Sequence, residues 1–138
     1  MNWREATHKS WKAFRNNMPI LLGIVLLIGL LNNAVPKSLY SSIFMGIPLV
    51  DAFIGAFSGS ILVGNPITSY IIGGELLDQG IGLIAVTAFI VAWVTVGVVQ
   101  FPAESMMLGK RFAFVRNIVS FVFSIIVAII TVILVGLI

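Results

Sequence analysis

Five charge-free runs divide this chain, over residues 16–36, 38–50, 52–74, 79–103 and 117–138. An α-helix needs about 20 apolar residues to cross a hydrocarbon core of ~30 Å. Only 9% of the residues are charged and 59% are hydrophobic, against about 25% charged in a soluble domain. This balance excludes a soluble globular domain, a disordered chain and a nucleic-acid binder. The basic pI near 9.7 reflects Lys and Arg flanking apolar segments, as membrane orientation requires. There is no Cys, so no disulfide, thiolate ligand or Cys nucleophile is available.

The runs predict an all-α polytopic membrane protein with about four spans. Three are clear: 18–35, 81–100 and 117–138. A fourth, over 39–63, is interrupted by Pro48 and Asp51 and carries Gly46, Gly55 and Gly59. Gly55 and Gly59 form a small-xxx-small pattern that lets another helix approach closely. Residues 1–17 interleave Trp3, Trp11 and Phe14 with Arg4, Lys9, Lys12 and Arg15. At helical spacing the aromatics share one face, which predicts an interfacial amphipathic helix ahead of a single membrane domain over 18–138. His8 in this tail reads as solvated.

Two segments are too short to span. GNPITSYIIGGELL, 64–77, opens on Asn-Pro and ends before Asp78-Gln79-Gly80. Its roughly eleven helical residues reach only ~16 Å. FPAESMMLG, 101–109, has Pro102 near its start and Gly109 at its end. Both are expected to be Pro-initiated, re-entrant half-helices, with structural breaks at Pro66, Pro102, Gly73 and Gly109. Irregular backbone in a bilayer must be covered by protein or a wet cavity.

The two segments belong to a repeat. A shift of 36 residues aligns 46–73 with 82–109 and matches ten of 28 positions, including Pro66/Pro102, Ser69/Ser105 and Gly73/Gly109. Repeat units of about 40–77 and 81–113 follow. One crossing per unit would invert them, a recurrent arrangement in secondary transporters. With four crossings, Arg4, Lys9, Lys12 and Arg15 lie on one side and Lys37, Lys110, Arg111 and Arg116 on the other, a bias of 4 − 4 = 0. Either the chain inserts both ways and pairs as an antiparallel homodimer, or 40–63 does not cross and the count becomes 7 against 1. The repeat favours the first.

Polar groups inside apolar stretches are functional candidates. Asn65, Thr68 and Ser69 cluster at the first break, and Gln100, Glu104 and Ser105 at the second. Amides and hydroxyls there can bind an ion or solute, or can satisfy backbone freed by the prolines. Asp51 is either a proton-coupling or cation-binding carboxylate, or a helix cap or interfacial residue beside Pro48. Glu75 and Asp78 read as solvated end residues, and Arg116 as an interfacial anchor. No catalytic constellation, metal site or cofactor motif is present, so enzymatic activity is not expected.

The stretches GNPITSYIIGGELLDQGIGLIAVTAFIVAW and FPAESMMLGKRFAFVRNIVSF resemble the core of the YraQ-type permeases, a family that includes organoarsenical efflux permeases. Pro66, Leu76, Gly80, Ala88, Phe89 and Ile90, then Gly109, Arg116 and Ser120, stand at comparable positions over about 64–121. Family members carry two related halves. This chain resembles one half, which implies a homodimer or higher homo-oligomer. The family's Cys-x-Cys-Gly pattern is absent, so thiol handling of a soft metal does not carry over. The resulting expectation is a permease for a small solute or ion in a prokaryotic cytoplasmic membrane, its route lined by the breaks. A channel, or a structural or accessory membrane subunit, is the alternative.

Overall fold

A computed structural model describes residues 3–34, 42–62 and 66–137. Among them are six helices and no strand: α1 Trp3–Ala34, α2 Pro48–Ile61, α3 Pro66–Asp78, α4 Leu83–Thr95, α5 Phe101–Leu108 and α6 Lys110–Gly136. The chain divides into two compact units, Met1–Pro36 and Lys37–Ile138.

The first unit is α1. It runs unbroken for 32 residues, with Pro19 inside it, so residue 17, where the sequence suggested a division, is not a helix boundary. Trp3, Trp11 and Phe14 line one face together with Ala6, Thr7 and Ser10. The Trp11 and Phe14 rings stack at 5.9 Å.

In the second unit, α4 is the centre on which α2, α3 and α6 pack. A Cβ built on Gly55 would strike the Ala85 carbonyl, and one on Gly59 the Phe89 carbonyl. Both positions advance together, so α2 and α4 run parallel with their backbones in contact. α3 returns the chain: Gly73 faces Val86 and Ile90, and the Ile81 N–H reaches the Leu76 carbonyl at 3.0 Å. α3 is therefore antiparallel to α4. α6 is antiparallel as well, with Asn117 beside Gly97 at one end and Ala128 in the cluster with Ala52 and Ala88 at the other.

This arrangement corrects three expectations. The repeat units are parallel rather than inverted, because α3 runs back along the full length of its neighbours. Its 13 residues match the 14 of α2 and the 13 of α4, each only ~20 Å tall at 1.5 Å per residue. Gly73 does not end a half-helix but lies buried under α4. α5, among the described residues, packs on α6 and not back along α4, so it is not a re-entrant return. Gly109, at φ 90° and ψ 145°, makes the reversal between α5 and α6. That backbone region is open to glycine alone.

The core is rich in alanine, and Phe89 and Trp93, in edge-to-face contact, are its large buried members. Ala52, Ala56, Ala88, Ala92 and Ala128 are fully buried, and the largest fully buried side chain is Val86. Large apolar side chains such as Phe53, Phe57, Phe112, Phe123 and Leu134 point outward. α6 is long and apolar enough to cross a membrane, and only 11% of its most apolar stretch is buried. α2 and α4 are apolar but shorter.

Candidate functional site

The polar centre of the unit forms where α4 ends. Val94, Thr95 and Val96 are β-branched and Gly97 follows, residues of low helix propensity. The chain turns extended at Val96, φ −101° and ψ 115°, earlier than the sequence suggested. Two consecutive side chains of α6 take up the freed backbone groups. The Gly97 N–H donates to Asn117 Oδ1 at 2.9 Å. Arg116 donates to the Thr95 carbonyl at 3.1 Å. Both side chains also reach Glu104 on α5: Arg116 by an ion pair and Asn117 Nδ2 at 3.3 Å. Asn117 Nδ2 further donates to the Ala113 carbonyl at 2.9 Å.

Glu104 sits here because Pro102 opens α5 within its first two residues and sets the carboxylate in the first turn, where the helix dipole favours it. The Glu104 side chain is 17% exposed and that of Arg116 33%. The part of the pair left open is thus the guanidinium, a pure hydrogen-bond donor. A charged, hydrogen-bonded group of this kind is stabilised within low-dielectric surroundings only when its members stay together.

The other candidates divide. Ser105 and Ser69 stand at equivalent repeat positions and behave alike: Ser105 Oγ donates to the Pro102 carbonyl at 2.8 Å, and Ser69 Oγ to the Pro66 carbonyl at 2.7 Å. Their hydroxyls serve their own helix starts. Ser69 is buried, Thr68 is half-buried and Gln100 is exposed, its side chain against Gly97. Asn65 lies outside the described residues. Because α2 and α4 are parallel, the α2 terminus, the α3 start and the α4 break all lie at one end of the unit. They do not face each other from opposite sides.

Asp51 is at the opposite end, apart from these groups. It is buried in the first turn of α2, three residues after Pro48, and its Oδ1 accepts the Met45 N–H at 2.8 Å. This bond ties the segment ahead of α2 to its first turn. Asp51 borders a cavity of about 350 Å³ lined also by Gly46, Gln79, Gly80 and Gly82. Asp51 and Glu104 therefore do not form one site.

Sequence reasoning missed Asn117 and the pairing of Arg116 with Glu104. The spacing carried a partial signal: Arg116 is the last charge before the charge-free run of 22 residues over 117–138, and Asn117 opens that run. In comparisons with known proteins, no family model, curated protein or solved structure matches the chain.

Proposed function

We propose that the chain is a polytopic integral membrane protein of a prokaryotic cytoplasmic membrane that works as a homo-oligomeric permease for a small solute or ion. The exposure of most large apolar side chains of α2 and α6, around a core rich in alanine that holds Phe89 and Trp93, supports the membrane part. Without a hydrophobic force between helices in lipid, close packing of small residues drives association and large residues turn outward. A soluble core would instead hold most of the large residues. α2, α3 and α4 would each cross a locally thinned region beside α6, since hydrophobic mismatch is accommodated at modest cost.

The observation that carries the permease reading is the Glu104–Arg116–Asn117 group at the broken end of α4. Ionisable groups beside unwound backbone in an apolar unit mark solute and ion paths. The helices pack directly on α4, so the route would run between copies, entered past Arg116. The resemblance of 64–121 to YraQ-type permeases adds to this reading.

Purified protein in liposomes should flux a small solute, and Glu104→Ala or Asn65→Ala should slow that flux while the protein stays folded. Wild-type rates in both variants would remove the site assignment. Saturable counter-flow would separate a carrier from a channel. One observation favours a second reading, a non-transporting accessory subunit: the side chains around the break are engaged in holding backbone. A stable hetero-complex in mild detergent, with no flux by the chain alone, would favour that reading.

A further inference from the structure

The second unit is electrically polarised along its axis. All three of its described cations, Lys110, Arg111 and Arg116, lie at the end where α4 breaks. Glu104 neutralises Arg116 there, which leaves Lys110 and Arg111 exposed and without an ion pair among the described residues. The opposite end holds Asp51, Glu75 and Asp78 and no described Lys or Arg; Lys37 lies outside the described residues.

The two cations stand in an apolar surround. Met106 and Met107 are 88% and 84% exposed, and Leu108, Phe112 and Phe114 are more than half exposed. Gly109 folds α5 against the start of α6, so these residues form one turn at the tip of the unit. Depth follows from helix length. If residues 117–136 fill a core of ~30 Å, Lys110 and Arg111 rise about 10 Å above it, among the headgroups. Methionines and phenylalanines beside them would wedge at the acyl boundary.

We infer that the α5–Gly109–α6 turn is a docking surface for anionic phospholipid headgroups, with Lys110 and Arg111 as the charge-reading residues and Met106, Met107 and Phe112 as the wedge. The cytoplasmic leaflet carries the anionic lipid, and Lys/Arg-rich ends stay on that side. The acidic end then faces away from the cytoplasm. The inference rests on the membrane reading and extends it to a lipid class and an orientation. It replaces dual insertion by a single orientation and antiparallel pairing of copies by parallel pairing.

The absence of Cys allows a single probe. Met107→Cys labelled with bimane, in the full chain reconstituted into phosphatidylcholine vesicles, is titrated with headgroup spin-labelled phosphatidylglycerol or spin-labelled phosphatidylcholine. The anionic quencher should act at much lower mole fraction. Lys110→Gln/Arg111→Gln should erase most of that preference, roughly fivefold per charge removed, and leave quenching by phosphatidylcholine intact. Equal quenching by the two lipids in the parent protein overturns the headgroup preference while leaving the membrane reading in place. No quenching by either lipid overturns both.

Discussion

At the scale of single residues, glycines with the same chemistry do opposite work. Gly55 and Gly59 let the α2 backbone touch that of α4, and a methyl group at either would meet backbone rather than a movable side chain. Gly55→Ala or Gly59→Ala should cost at least about 1–3 kcal/mol by overpacking, read as a lower unfolding midpoint in detergent. Gly74, one residue after buried Gly73, has open space around it, so Gly74→Ala should be neutral or gain about 0.5–1 kcal/mol from helix propensity. The small-xxx-small spacing was legible in the sequence; that its target is α4 of the same chain was not. Asn117 shows the converse. As an isolated amide after Arg116 it carried little signal, yet its Oδ1 holds the Gly97 N–H. Asn117→Ala should cost about 1–3 kcal/mol by leaving that donor without its acceptor. Asn117→Asp should also destabilise, by setting a second carboxylate beside Glu104.

At the scale of elements, Pro66 and Pro102 mark helix starts as expected, Pro48 opens a helix where the sequence suggested an interruption, and Pro19 lies inside α1. Pro48, Pro66 and Pro102 each fall in the first two residues of a helix, where the missing N–H and fixed φ do no harm. The ends were harder to read. α4 stops at Thr95 where the β-branched run and Gly97 weaken the helix locally, but the side chains that capture the Thr95 carbonyl and the Gly97 N–H come from α6, and no local pattern announces them. α6 starts at Lys110 rather than at residue 117, because charge removes a segment from the apolar run without removing it from the helix. Gly109 is the element-scale hinge. Nothing crowds it, but its φ of 90° and ψ of 145° belong to a region that costs other residues about 1–3 kcal/mol. Gly109→Ala should therefore loosen the α5–α6 turn. Faster hydrogen exchange over 101–112, with α2 and α4 unchanged, is the expected readout.

At the scale of the whole molecule, the 36-residue repeat was visible but its symmetry was not. The sequence set α3 down as too short to run the height of the unit. The helices beside it are equally short, so it returns the chain and makes the two copies parallel. That brings both proline breaks to one end and separates Asp51 from Glu104. It also gathers the cations opposite the acids. Single cysteines at Met107 and at Asp78 should accordingly label with an impermeant maleimide from opposite sides of the membrane, each from one side only. Labelling of either position from both sides would show mixed insertion. Hydropathy and charge spacing, which act locally, determined on their own that the described residues are all-helical, that Pro66 and Pro102 open helices, and that the C-terminal helix is apolar enough to cross a membrane. Which breaks are neighbours, and which of two glycine-rich faces meets which helix, depends on contacts between segments tens of residues apart. Those contacts exist only once the backbone of α2 has settled against that of α4.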